Sequence, residues 1–495
     1  MNSSGYSTII SSCKKVLPGL LFILKQKMMI LHRKKINCLF LFAIFFSGCV
    51  RYHPQPIFAD KTLGDFEERT LDAAELKEFF RINGQTPEWP MKSWDIKALT
   101  LVSLFYHPDL DVARAQWGVT QAGRITAGER PNPDFSFAPT YNSSIPVGEG
   151  TRWSPGFSLD ITIETAGKRG IRIARARQFS EAAYLNIHTV AWQVYSRLRQ
   201  SVLELYGAEQ ACVLLNERQS ALAANTAIAE AQHAAGAISA YQVAQLRIAM
   251  QSSRLDLFEA EKARSQAWVK LAAAMGVPFH VVKELPIHYD EFERYDVKIS
   301  EKEARLHALT ARNDILSALA EYAAAQSSLR LEVARQYPDI HLGPGYQLDQ
   351  SQNKWTLGIT FNLPIFSRNR GPIAEAEARR SEAAARFLAL QASILSEIDS
   401  ALAGIKAALP QAEAAEELLN NLQKQEKTAA AMHEIGEISK ADLLALRLEL
   451  NTAYISRLNA LIKAQEAIGA FENAVQSALE LSPEQLQVAP SRSKR

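Results

Sequence analysis

The chain has 495 residues, with 55 Lys and Arg against 53 Asp and Glu, and is 47% hydrophobic. This balance, with no basic patch interleaved with aromatics, excludes a nucleic-acid binder. No run of about eighteen or more apolar residues offers itself as a membrane-spanning helix.

In chain order, the first feature is a targeting segment. Met28 and Met29 precede a basic stretch (His32 to Lys35), residues 39–46 are apolar, and Phe46-Ser47-Gly48-Cys49 closes the run. This is the plan of a secretory signal peptide. Small residues just before a cysteine resemble the bacterial lipobox, with Phe46 where leucine is commoner. Residues 1–48 are therefore expected to be an upstream extension plus a lipoprotein signal peptide, with Met28 or Met29 as the start and Cys49 as the lipid anchor. The alternative is an ordinary signal peptide with a chance cysteine. Cys13 and Cys38 precede the cleavage point, which leaves Cys212 as the lone thiol. That excludes a disulfide framework and a multi-cysteine metal site.

Residues 49–93 read as a linker packed on the outside, with a short helical signal at 71–80 and a turn at Asn83-Gly84. A helix is expected over 94–130, its apolar face supplied by Leu99, Leu101, Val102, Phe105, Leu110, Val112 and Ala113, and stopped by Pro131 and Pro133. A β-hairpin follows at 133–164. Phe135, Phe137, Pro139 and Tyr141 alternate with polar residues, and Phe157, Leu159, Ile161 and Ile163 do so on the return strand. A helical hairpin spans 168–276. Its first arm has no proline and apolar residues at three- and four-residue steps, so at about 1.5 Å per residue it extends on the order of 100 Å. A helix that long must pack beside others like it. Gly236, Ile238 and Ser239 form its tip, with Gly accepting the left-handed conformation and Ser239 capping the next helix opposite Gln242.

After a polar, aromatic segment at 278–300 the plan restarts. The second unit, 301–479, holds a helix to Gln336, a β-hairpin at 338–366 and a helical hairpin at 371–479 with Gly436, Ile438 and Ser439 at its tip. Residues 480–495 read as a flexible tail. In the second β-hairpin, Ile340, Leu342, Pro344, Tyr346 and Leu348 share one face, as do Trp355, Leu357, Ile359, Phe361, Leu363 and Ile365. The first unit, 94–277, matches the second in order. Pro133-Asp134 echoes Pro338-Asp339, Tyr141 echoes Tyr346, Trp153 echoes Trp355, and Leu246-Arg247 echoes Leu446-Arg447. Such ordered matches denote an internal duplication.

Four strands of membrane-crossing length cannot remain an open sheet in lipid, because edge N–H and C=O groups would go unpaired. Four also fall short of the roughly eight that the smallest single-chain barrels use. The barrel must be shared between chains: two would give a small filled barrel, three a twelve-stranded one with room for a pore.

At this point the chain resembles the TolC-like outer-membrane efflux proteins. The carriers are the duplication, the hairpins, the segment Ile163-Glu164-Thr165-Ala166-Gly167-Lys168-Arg169-Gly170 with its counterpart Leu363 to Gly371, and both Gly-x-Ile-Ser turns. The wording of these segments looks most like the heavy-metal efflux branch. The resemblance implies a mainly α protein with membrane β: a duplicated helix–β-hairpin–long helical hairpin repeat, three copies of which build a twelve-stranded barrel continuous with an α-helical periplasmic tunnel. An equatorial belt would form from 278–299 and the flanking tails. It implies a homotrimer in the outer membrane of a Gram-negative cell, a periplasmic membrane-fusion adaptor docking at the tips, and an inner-membrane pump, most plausibly of the RND type. The expected role is a passive exit duct; a duct for type I protein secretion, or a lipid-tethered coiled-coil scaffold without a pore, are the alternatives.

No phosphate loop, zinc-protease spacing or nucleophile elbow is present, so no enzyme activity and no cofactor are expected. Asp442 falls where the family often places an acidic ring at the tunnel entrance, and equally where a helix N-terminal carboxylate would complete the Ser439 cap. His233 and His433 each precede a tip glycine by three residues; they could bind a metal ion or sense pH, or be ordinary polar residues at a helix C-terminus. Asp160, Glu164, His341 and Asp349 lie opposite the apolar stripe and are expected to face the barrel lumen.

Overall fold

In the computed structural model the described residues are 51–85, 87–146, 151–295, 300–350 and 352–477. The proposed signal segment and Cys49, and the tail from 478, lie outside them. The elements in order are α1 (Ala59–Glu67), α2 (Ala74–Ile82), α3 (Ile96–Tyr106), α4 (Pro108–Gly128), β1 (Asp134–Phe137), β2 (Thr140–Tyr141), β3 (Trp153–Ser154), β4 (Gly156–Ile163), α5 (Lys168–Ala234), α6 (Ala240–Met275) and α7 (Phe279–Val282). After a 3-10 turn at Asp290–Glu293 come α8 (Glu301–Ala311), α9 (Asn313–Ala334), β5 (Ile340–Asp349), β6 (Gln352–Phe361), α10 (Arg370–Glu434) and α11 (Lys440–Val475).

Two expected single helices are each broken in two. Over 94–130 the break falls at His107, which is extended (φ −68°, ψ 124°) because Pro108 takes the first position of α4 and disfavours helix in the residue before it. Over 301–336 the break falls at Arg312 and has no proline behind it. The Arg312 guanidinium is buried there, donating to the Ala474 carbonyl at 2.6 Å and pairing with Asp314 at 2.6 Å. Burying an arginine is tolerated only with such partners, and the bend is what points it at them. Conversely, Pro410 lies inside α10 without ending it.

Residues 65–93 are not the external linker expected from the sequence. Leu76 and Phe80 are fully buried, and with Phe79 and Trp94 they join the largest apolar cluster of the chain, which also takes in α3, α5 and α6. Arg69 fixes this arrangement by donating to the carbonyls of Tyr106 (3.0 Å) and Gly276 (2.5 Å). The inter-repeat segment pairs with the same region through Trp94 and Ile287 in a parallel bridge. It is anchored to both long-helix pairs. Tyr289 donates to Glu209 of α5 at 2.9 Å, and Gln465 of α11 donates to the carbonyls of Phe292 and Arg294 at 2.9 and 2.7 Å. Arg199 of α5 completes the link by pairing with buried Glu472 of α11 at 3.0 Å.

The long helices pack as antiparallel pairs, α5 with α6 and α10 with α11, and α5 also packs against α9 and α11. Within α10 one stretch has a mean hydropathy of 1.3, apolar enough for a membrane span by length and composition alone. That stretch belongs to a 65-residue helix that packs along α11.

The strands form one antiparallel sheet in the order β1-β4-β5-β6, with β2 and β3 paired separately beside it. The first hairpin is interrupted at Pro139 and Pro155, neither of which can donate to a ladder. The second is regular, but β6 stops at Phe361, so the expected strand over 362–366 is absent.

Candidate functional site: strand hairpins, junctions and helix tips

Register explains the alternation read in the sequence. Ile163 lies opposite Ile340 and Ile340 opposite Phe361; Ile161, Leu342 and Ile359 line up likewise, as do Phe157, Tyr346 and Trp355. Phe135 and Phe137 extend the same face onto β1 through Leu159 and Phe157. One side of the sheet is therefore apolar across all four strands, and the packed rings of Phe157, Tyr346 and Trp355 (centroids 5.1 and 4.9 Å apart) crown it. Trp153 and Trp355, equivalent in the two repeats, are not opposite one another: Trp355 lines up through Tyr346 with Phe157, four residues beyond Trp153. A stagger of this kind accompanies strand tilt in a closing sheet.

The opposite face is polar. His341 Nδ1 lies 3.2 Å from the Asp160 carboxylate and 3.3 Å from the Thr162 hydroxyl. Asp349 accepts from Lys354 at 2.6 Å and from the Ser154 hydroxyl at 3.2 Å. Asp160, His341 and Asp349 thus share that face, each already engaged. Glu164 differs. It lies one residue past β4, and both its oxygens bond the Arg172 guanidinium at the start of α5.

This ion pair belongs to a junction where strands become helices. Ala166 and Gly167 take left-handed conformations (φ 52° and 66°) before α5, and Asn369 does so (φ 58°) before α10. Lys168, buried at 8% side-chain exposure, donates to the Tyr337 carbonyl at 2.6 Å and pairs with Asp339 at 2.7 Å. The Asp339 carboxylate also accepts the Thr165 N–H at 2.9 Å. On the other side, the Asn369 amide donates to the Glu332 carbonyl (2.7 Å) and carboxylate (3.0 Å). Burial pushes the Glu332 carboxyl up, but these bonds and Arg335 outweigh it and hold it below the usual range. The clamp on Tyr337 and Asp339 is made by partners 169 to 174 residues apart, so no local pattern in the sequence marks it.

The two tips are built alike. Gly236 (φ 79°) and Gly436 (φ 81°) are left-handed, and the N–H groups after them close the helix ends, Ala237 on Gln232 at 2.8 Å and Glu437 on Met432 at 2.9 Å. Ser239 and Gln242 exchange a capping box, as do Ser439 and Asp442. One oxygen of Asp442 is thereby committed, accepting from the Ser439 hydroxyl at 2.7 Å. His233 and His433 have a use that the sequence did not disclose. Nδ1 of each lies 2.9 and 3.0 Å from the carbonyl of Ile238 and Ile438, so each imidazole donates across its turn. Arg247 with Glu230 (2.7 Å) and Arg447 with Glu426 (2.9 Å) tie the two arms behind each tip. Among the described residues no group of three or more His, Cys, Asp or Glu side chains is placed to hold a metal ion.

The family profile described as outer membrane efflux protein matches residues 103–277 and again 306–478, one match for each unit. The chain belongs to the outer membrane efflux protein family. Its place is accordingly the outer membrane, with the long helices extending as a periplasmic tunnel. Over 292 residues it is 26% identical to the cobalt-zinc-cadmium resistance protein CzcC of Cupriavidus metallidurans, covering 58% of this chain and 66% of that protein. Over 231 residues it is 26% identical to the pyoverdine export outer membrane protein OpmQ of Pseudomonas aeruginosa, covering 44% and 47%. The chain thus spans between about half and two thirds of these relatives' length. Among solved structures it resembles CusC (TM-score 0.63, 20% identity, 80% of this chain and 95% of that one). It also resembles VceC of Vibrio cholerae (0.62, 18%, 78% and 97%). At these identities the likeness shows the fold.

Proposed function

We propose that this outer membrane efflux protein is the exit duct of a tripartite efflux system, passive itself and loaded by an inner-membrane pump of the RND type through a periplasmic adaptor. One observation carries the reading: a four-stranded sheet with one continuous apolar face whose outer edges, β1 and β6, have no strand partner among the described residues. In lipid such edges must be paired. Three copies pairing β6 with the next copy's β1 make a closed barrel of twelve strands, wide enough for a pore. The polar face then lines the lumen with Asp160, His341 and Asp349, and the tips at Gly236 and Gly436 stand at the far end, where the adaptor docks. Likeness to CzcC favours divalent metal cations as cargo, and likeness to OpmQ keeps a small organic cargo as the second reading. The continuous apolar face of the sheet counts against a lipid-tethered scaffold without a pore.

The test is conductance of the purified full chain in planar lipid bilayers, together with cobalt, zinc, cadmium and drug sensitivity of a deletion strain. Stepwise channels and metal sensitivity are the expected result. A soluble monomer without conductance would overturn the duct, whereas drug sensitivity alone would change the cargo.

A further inference from the structure

The two strand-to-helix junctions, equivalent by duplication, are built for opposite purposes. The first is folded inward around Lys168 and Asp339, as described. The second, residues 362–368, is turned outward: Leu363 and Ile365 are 65% and 70% exposed and Phe366 is wholly exposed at 102%. The run is no strand, being turned at Leu363 by the bond from the Ile365 N–H to the Leu363 carbonyl (2.8 Å). It is followed by Arg368 and Arg370, both exposed and neither in an ion pair among the described residues.

Length says what covers it. On β6 the apolar face runs from Trp355 to Phe361, six residue steps, because Asn353 above Trp355 is polar and pairs with Leu348 at the loop end. At about 3.4 Å per step and a tilt of about 40°, six steps rise only about 15 Å along the membrane normal. The apolar band of an outer-membrane barrel is about 25 Å tall. The deficit lies at the periplasmic end, where the exposed apolar side chains of Leu363, Ile365 and Phe366 follow directly on Phe361. Aromatic rings mark such an interface and cations lie outside it; Phe366 is followed in the chain by Arg368 and Arg370, and Tyr337, 62% exposed, stands just before β5.

We infer that residues 363–366 form a lipid-seated knuckle completing the membrane band, with Leu363, Ile365 and Phe366 among the acyl chains of the inner leaflet and Arg368 and Arg370 on the phosphates of an anionic phospholipid. The inference rests on the barrel reading above. It gives the second junction a partner, the inner-leaflet lipid, which the first junction does not have.

The experiment places one nitroxide per chain, at Trp355→Cys, Ile365→Cys or Phe366→Cys, in full-length protein carrying Cys212→Ala. The protein is reconstituted in phosphatidylethanolamine/phosphatidylglycerol vesicles, and collision with oxygen is compared with collision with a water-soluble nickel chelate. Oxygen is expected to dominate at all three positions, and Arg368→Gln with Arg370→Gln to lower copurifying phosphatidylglycerol at least about twofold. If Trp355 is lipid-accessible but 365 and 366 collide with nickel, the knuckle falls and the barrel stands. If 365 and 366 are shielded from both reagents, the neighbouring copy covers them and the lipid assignment is overturned. If Trp355 itself collides with nickel, the barrel reading fails and the knuckle with it. Unchanged phosphatidylglycerol in the arginine variant overturns the headgroup assignment.

Discussion

The Lys168 ammonium lies 2.7 Å from the Asp339 carboxylate, joining the first turn of α5 to the residue that opens β5, although 171 positions of chain separate them. Each half of the molecule thus holds the other's strand at the angle where sheet gives way to helix. Removing one partner of a largely buried pair leaves the other charge poorly solvated. Asp339 retains 30% side-chain exposure, so water offsets part of the loss. Lys168→Met is expected to cost about 1–3 kcal/mol, read as a lower thermal midpoint of the purified protein. Adding Asp339→Asn to that variant should recover part of the loss.

The tips separate turn-making from docking. Gly436→Ala forces a Cβ into a left-handed position at about 1–2 kcal/mol, whereas Gly436→Asn tolerates that conformation. If the glycine only turns the chain, efflux by the asparagine variant matches wild type. Loss of adaptor crosslinking with an intact fold would assign the tip a contact role.

His233 and His433 are expected to act as braces. An imidazole protonated at Nδ1 donates to the Ile238 or Ile438 carbonyl whether or not the ring is charged. Replacing both with alanine should speed amide exchange across 234–239 and 434–439 by roughly threefold to tenfold, in keeping with one hydrogen bond each. The pH profile of transport should not move. A shifted profile would return these residues to the role of sensors.

The proposed closure into a trimer has a calculable register. Trp153 corresponds to Trp355 and Tyr141 to Tyr346, so Phe157, which faces Tyr346, corresponds to Ile359. The same pairing across the copy boundary sets Ile359 against Tyr141 of the next chain. Ile359→Cys with Tyr141→Cys should crosslink into a covalent trimer under oxidation, while Leu357→Cys with Tyr141→Cys should do so poorly.

His107, at the break between α3 and α4, is expected to make the fold acid-sensitive. Its Nδ1 accepts the Asp109 N–H at 3.2 Å, which requires the neutral ring, and burial holds its pKa below the ordinary value, with Arg197 and Arg69 adding to this against Asp109. The unfolded chain therefore binds this proton more readily. Stability is expected to fall as pH drops below about 6.5 and to go on falling until the folded pKa is passed. His107→Asn keeps an N-cap acceptor and should flatten that limb of a pH–stability curve.

The long helices and the apolar strand faces were legible because each is a periodic pattern sustained over many residues, and the tips because glycine and serine in those places have few other uses. What escaped was set by distant partners. Nothing local marks Arg312 as a break, since Ala474 and Asp314 draw it inward. The repeat held a hint: Asn313-Asp314 echoes Pro108-Asp109, and proline breaks the first copy. Leu363 and Ile365 continue the alternation past Phe361, so the sequence ran the strand on where Pro364 and the turn at Leu363 end it. Leu76 and Phe80 looked like a linker because a short helix carries too little pattern to announce which core it joins.

The central ladder of the sheet has a consequence for synthesis. β4 and β5 are neighbours in the sheet but stand on either side of α5 and α6 in the chain. Each helical hairpin is closed by local contacts and can form as it emerges, whereas Ile163 must wait for Ile340, at a long loop-closure distance. The β4–β5 ladder is therefore the late step of the sheet, while β1–β4 and β5–β6 close as local hairpins. A chain halted before Ile340 would carry a finished helical arm beside a first hairpin whose β4 edge has no β5 to join, the kind of species that aggregates unless a periplasmic factor holds it.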